Sequence, residues 1–242
     1  MNVLTLLLVA ALSVLFFFLA TRAWRSPRWY IRFPGGVLSM LLGLLLLAVV
    51  GIAAFGFYRL NNAPYAYSET TIPVTGAAGN VERGARLANI CAGCHSTSMQ
   101  LPLNGSAENF LADPSAPPAG ELWASDLTPS GPLKDWTDAE IARAIREGVD
   151  NRGRPLLIMP SYAFHAMSDE DVMAMVAYLR SQPASGRSLP ERNLNMLAAL
   201  FVGSGMFPTS AQEPITEAVV APAPGNPSSV ACGDTFSHKG RR

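Results

Sequence analysis

Apolar positions along the chain change character three times. Residues 3–20 and 37–58 are unbroken apolar runs of 18 and 22 residues without a charged side chain. Crossing a hydrocarbon core about 30 Å thick takes roughly 20 apolar residues at the helical rise. The second run reaches that length and the first is at its lower margin. From residue 80 the pattern becomes amphipathic, with the helical period. Val81, Gly84, Leu87, Ala88 and Cys91 predict a helix that starts at the N-cap Asn80 and runs to the cysteines. Thr137-Asp138-Ala139-Glu140 is a capping box, in which Thr and Glu side chains satisfy each other's free amides. It opens a helix buried through Ile141, Ala144 and Ile145, with Gly148 as its stop. Ser168-Asp169-Glu170-Asp171 opens another, with the stripe Val172, Met175, Val176 and Leu179, and Pro183 lies just beyond its end.

No strand-like alternation and no internal repeat is present. The pattern therefore predicts a mainly α chain: two N-terminal transmembrane helices within residues 1–58, a linker over 59–79, an all-α domain over 80–183, and residues 184–242 as an apolar segment followed by a Pro-rich extended tail. The apolar segment, 193–207, is too short to span a bilayer. It reads equally as a surface-lying or partner-docking stretch or as a packed helix.

Charge orients this plan. Between the two apolar runs stand Arg22, Arg25, Arg28 and Arg32 with no acid, and Trp24, Trp29 and Tyr30 suit an interfacial aromatic belt. The positive-inside rule places this loop in the cytoplasm, so the N-terminus and everything after Tyr58 fall on the opposite face. A cleaved leader would carry its positive charge before the apolar stretch; here the charge follows it. The expectation is a two-pass protein of a bacterial inner membrane, with its domain on the periplasmic or extracellular side. Formal net charge is zero over 242 residues, which excludes a bulk nucleic-acid binder. Residues 69–190 hold 14 acids and 9 Lys or Arg, a balance of −5. It would favour a basic partner, and it is also what an ordinary solvated surface carries.

The candidate chemistry lies in Cys91-Ala92-Gly93-Cys94-His95. Cys-x-x-Cys-His is the attachment pattern of c-type haem. Two thiols one helical turn apart reach two vinyl groups on one edge of the porphyrin, and the adjacent imidazole points at the iron. The competing readings fare poorly. Structural zinc needs four ligands, usually two such pairs, and the third cysteine, Cys232, is remote. A thioredoxin-like dithiol follows a strand, and none is predicted here. A disulfide framework needs an even set of cysteines, and this chain has three. Residues 96–136 are rich in Pro and Gly, a stretch long enough to count against a compact domain unless a buried prosthetic group supplies core for it.

A second axial ligand is open among several residues. Met159, between the second and third amphipathic helices, is the leading one, because a Met thioether opposite His gives a high-potential carrier. Met167 and Met99 are alternatives, His165 would give bis-His ligation, and Met159 as plain core packing is the non-ligand reading. Trp123, Tyr162 and Phe164 are candidate pocket walls.

The order of motifs resembles the class I, mono-haem cytochrome c family. It comprises Gly84, Leu87 and Cys91-Ala92-Gly93-Cys94-His95; residues 136–148 from Trp136 to Gly148; Gly153-Arg154-Pro155-Leu156; Met159-Pro160; and residues 167–180 from Met167 to Arg180. The resemblance covers roughly 80–183 and is closest to the cytochrome subunits of membrane dehydrogenases and respiratory chains. It implies that Cys91 and Cys94 carry one covalent haem c, that His95 is the proximal and Met159 the distal iron ligand, and that the first and third helices cross at Gly84 and Tyr178. It further implies that Ser125-Asp126-Leu127-Thr128-Pro129 is a structural pocket loop. The two-helix anchor and the residues after Pro183 lie outside the shared domain.

With both axial positions filled by protein, the expected role is outer-sphere electron transfer rather than catalysis. The chain would be a non-catalytic subunit of a respiratory or photosynthetic electron-transport complex. Its partners would be the other subunits, redox proteins and the bilayer, with no nucleic acid. The alternatives are a haem-based ligand sensor, which needs a labile Met159, and a structural anchor subunit.

Overall fold

The computed structural model describes residues 3–67 and 80–220. Part of the expected linker (68–79) and the end of the tail, including Cys232, lie outside the described residues.

Two long helices open the chain, α1 (Val3–Trp24) and α2 (Trp29–Asn61). Each is long and apolar enough to cross a membrane, and most of their large apolar side chains face outward. They pack side by side as an antiparallel hairpin. Trp24 lies against Gly36 and Phe17 against Gly43, and the Ser13 hydroxyl donates to the Gly43 carbonyl at 2.9 Å. Small residues on α2 let the two helices approach closely. At 33 residues α2 is about 50 Å long, longer than the expected apolar run at both ends.

The domain that follows is built on α3 (Val81–Ala88), a 3₁₀ turn at Asn89–Cys91, α4 (Ala92–His95), the two-residue strand β1 (Gly120–Glu121), a 3₁₀ turn at Pro132–Asp135, α5 (Asp138–Glu147), α6 (Ser161–Phe164) and α7 (Asp169–Ser181). Its helix ends follow the local chemistry. The Asn80 side chain accepts from Arg83 N at 2.9 Å. Thr137 and Glu140 form the reciprocal capping box, and Ser168 accepts from Asp171 N. Gly148 closes α5 at φ 67°, in the left-handed region open to glycine.

The three main helices enclose one apolar core, including Ala88, Ile141, Ile145, Val172, Met175 and Leu179. The α3–α7 crossing is at Gly84. A Cβ there would overlap the Ala174 carbonyl and stand 2.8 Å from Tyr178 Cβ.

A second apolar cluster joins domain and anchor. Here β2 (Asn193–Leu194) pairs antiparallel with β1, and α8 (Met196–Gly203) lies against α2. Leu60, Leu122, Leu194, Ala199 and Val202 pack together in this seam. The strand pair is too short to leave alternation in the sequence. Beyond α8 the chain runs extended but fastened to the domain. Ser210 N donates to Leu156 O, Gln212 N to Glu147 O, and Asp169 N to Val219 O.

Candidate functional site

The pair Cys91 and Cys94 straddles the junction of the 3₁₀ turn with α4, and His95 ends that helix. The thiols are three residues apart on continuous helical backbone and face a common side one turn apart. Both are free. Cys91 is half-buried against the core and Cys94 is exposed. Burial, and secondarily the neighbouring Cys94, push the Cys91 thiol up to about 11, so it stays protonated at neutral pH.

His95 is held by one bond. Its Nδ1 lies 2.8 Å from the carbonyl oxygen of Ser125. A carbonyl only accepts, so Nδ1 carries the proton and Nε2 keeps its lone pair, with no protein partner among the described residues. Desolvation lowers the imidazole pKa and the Ser125 bond offsets only part of this, which favours the neutral ring a metal needs.

The Ser125 loop is itself pinned. Asp126, only 2% exposed, accepts from Thr128 N at 2.8 Å, Ser130 Oγ at 3.0 Å and Ser185 Oγ at 2.6 Å. Leu127 N donates to Leu103 O, and Gln182 reaches back to both Leu103 N and Leu127 O. Arg187 donates to the carbonyls of Asn104, Gly105 and Ser106. The long 96–136 stretch is therefore organised by side chains on and beyond α7. Ser185 and Arg187 fall after the expected domain end at 183. Sequence reasoning missed them, because a lone Ser or Arg in a polar stretch carries no local signature.

Met159 sits half-buried on the edge of the same core that Cys91 borders, together with Leu101, Leu127, Trp136 and Met167. Directly before it, Ile158 is held at φ 65°, a left-handed conformation that a β-branched residue rarely adopts. Of the other candidate ligands, Met99 is exposed, Met167 borders the core, and the Nδ1 of His165 is 3.2 Å from the Arg146 carbonyl. Among the aromatic candidates Phe164 is buried and Tyr162 exposed, while Trp123 buries an indole Nε1 that has no partner among the described residues.

Residues 81–183 match the sequence model of the family described as Cytochrome c. The chain is 29% identical over 177 residues to a subunit of the nicotinate dehydrogenase of Pseudomonas putida, covering 70% of this chain and 13% of that protein. It is 30% identical over 117 residues to the fructose dehydrogenase cytochrome subunit of Gluconobacter japonicus, covering 46% of this chain and 23% of the relative. The chain thus spans less than a quarter of either relative's length.

That family implies covalently bound haem c, and the residues present fit the group. There are two thiols at the attachment spacing, an imidazole with no protein partner on Nε2 among the described residues, and an apolar rim. The match makes residues 81–183 a domain of the cytochrome c family.

Proposed function

We propose that this chain is a membrane-tethered c-type cytochrome that relays electrons through a single His/Met haem as a subunit of a dehydrogenase or respiratory complex. The observation that carries the proposal is the Cys91–Cys94–His95 turn, with the imidazole oriented by the Ser125 carbonyl. Bound there, haem iron cycles between ferrous and ferric states one electron at a time. Cys91 and Cys94 would hold the group through thioethers. His95 would present Nε2 to one face and Met159 its thioether to the other. The neutral ligand pair and the apolar rim would favour the reduced form, and ligation by both residues would leave no position for substrate.

The two relatives named for dehydrogenases support an electron donor that oxidises a small organic substrate. The arginine-rich turn between α1 and α2 supports the two-pass orientation, with the haem domain outside a bacterial inner membrane.

The test is an absorption spectrum and pyridine haemochrome assay of the purified full-length chain. One haem per polypeptide with a c-type α-band is expected. No such band, or covalent haem retained in the Cys91→Ala/Cys94→Ala double variant, would overturn the proposal. Co-purification in mild detergent then identifies the partner subunits.

A further inference from the structure

The uncharged chain around α8 has a geometry that packing alone does not require. Residues 193–212 contain no charged side chain. α8 runs antiparallel to α2. At its start, the Arg192 guanidinium bonds the Leu60 carbonyl. At its end, a Cβ on Gly203 would overlap the Ile52 carbonyl. Gly56 opposes Ala199 just as closely, so the two helix backbones touch without intervening side chains.

The chain then turns at Ser204–Met206 and climbs back, and by Ser210 it is bonded to Leu156 of the haem domain. α8 and its turn are therefore a dip along the anchor. The backbone of the dip is satisfied from within, as a non-aqueous setting requires. Ser204 N donates to Leu200 O, Gly205 N to Val202 O and Phe207 N to Phe201 O.

The depth of the dip follows from charge. On α2 no charged residue stands between Arg32 and Arg59. Twenty residues from Arg32 to Ile52 rise about 30 Å, the thickness of the hydrocarbon core. The Arg59 guanidinium leans back over the Phe55 ring at 5.9 Å and donates to the Val202 carbonyl at 3.4 Å, as a side chain does at an interface. Gly203, opposite Ile52, lies about one turn deeper than that ring. Met206 on the turn is 73% exposed, and Phe55 and Tyr58 of α2 are exposed too.

Resting on the membrane reading given above, we propose that α8 and its turn are immersed in the headgroup–acyl boundary of the outer leaflet. The occupant of this surface is lipid, because the surface continues the lipid-facing side of α2; the Arg59 guanidinium that reaches it donates to the Val202 carbonyl at 3.4 Å. The haem domain is then fixed in height and orientation on the bilayer rather than swinging on a flexible tether.

The test uses the full-length, haem-loaded chain in phospholipid nanodiscs, in a Cys232→Ser background; the two haem cysteines are consumed by their thioethers. A nitroxide is attached to Met206→Cys, with Leu45→Cys on α2 and Ser115→Cys on the domain as references. Collisional accessibility is measured with oxygen, which partitions into lipid, and with a water-soluble nickel chelate. Met206 should resemble Leu45, with a several-fold excess of oxygen over nickel accessibility. If Met206 resembles Ser115 while Leu45 reads as lipid, the immersion is wrong and the span survives. If Leu45 also reads as water, the membrane reading itself fails. A Met206 label shielded from both agents would mean protein covers the dip, which also overturns the proposal. Haem absorbance checks the fold of each variant, and Ser204→Cys, on the same exposed turn, provides a second site.

Discussion

His95 donates its Nδ1 proton to the Ser125 carbonyl, and the next residue, Asp126, is buried under three donors from Thr128, Ser130 and Ser185. The His95 imidazole is thus oriented by a peptide group whose position depends on a neighbouring carboxylate. Removing one partner from a buried charged network costs about 1–3 kcal/mol. Asp126→Asn should lose that much in urea unfolding followed at the haem band. Desolvation raises the Asp126 pKa, but the bonds from Ser185, Thr128 and Ser130 outweigh it and leave the group below its ordinary 3.8. A depressed carboxylate stabilises above its unfolded value, and that contribution is lost as pH falls through the folded one. The stability gap between wild type and Asp126→Asn should therefore be full near neutrality and close below about pH 4.

Met159 and Met167 both border the core, which makes the choice between them testable. Met159→Ala should open the sixth position, so that the reduced protein binds carbon monoxide rapidly while keeping its covalent haem. Met159→His should lower the midpoint potential, since a thioether ligand favours ferrous iron. If Met167→Ala produces these changes and Met159→Ala does not, the distal assignment moves to Met167.

Ile158 stores strain one residue before Met159. Its side chain is 42% exposed at φ 65°, so little burial compensates a conformation costing an L-residue roughly 1–2 kcal/mol. Glycine removes that cost but gives back about 0.5–1 kcal/mol of unfolded-state entropy. Ile158→Gly should leave the denaturation midpoint unchanged or raise it slightly. A loss of 2 kcal/mol or more, well beyond that roughly 0.5–1 kcal/mol entropy cost, would show that the Ile158 side chain holds the Met159 segment by packing.

The helices were legible because their ends are written in short-range chemistry. The Thr137–Glu140 box, the Ser168 cap and the Gly148 stop each involve residues within four positions of one another. The Cys91–His95 pattern was legible for the same reason. What escaped depends on partners far apart in the chain. Ser185 reaches Asp126 across 59 positions, and Arg187 reaches Gly105 across 82. The 193–207 segment could be read as docking surface or packed helix. Its partner, the glycine-lined end of α2, is recognisable only once both helices are placed. The Ile158 strain has no sequence signature, because nothing about an isoleucine announces a left-handed backbone.

The α3–α7 crossing offers a sharp steric test. A Cβ on Gly84 would overlap the Ala174 carbonyl, a backbone atom that cannot rotate aside. Overpacking of this kind typically costs about 1–3 kcal/mol, occasionally more, and Val adds β-branching within a helix. Gly84→Val should lower the melting temperature strongly and reduce haem incorporation during expression. Val81→Ala, on an exposed position of the same helix, should do neither.

Arg146 is the one fully buried guanidinium among the described residues; it is ion-paired with Asp169 and also feels the neighbouring Glu147 carboxylate. Its NH1 donates to Asp169 Oδ1 at 2.6 Å, while Nε and NH2 have no partner among the described residues. Its backbone carbonyl faces His165 Nδ1 at 3.2 Å, six residues after Met159. Breaking a buried pair by removing one partner costs about 3–5 kcal/mol, because the other charge is left uncompensated. The two partners differ in exposure: the Asp169 side chain is 20% exposed and Arg146 is not exposed at all. A lone Asp169 can hydrate, whereas a lone Arg146 cannot. Asp169→Asn should therefore cost more than Arg146→Met, and the double variant should be more stable than Asp169→Asn alone. Urea unfolding of all four proteins measures this cycle. Carbon monoxide binding to the reduced forms reports whether the Met159 segment loosens in step. Equal losses for the two single variants would place the stabilisation in packing around the side chains rather than in the pairing of the buried charge.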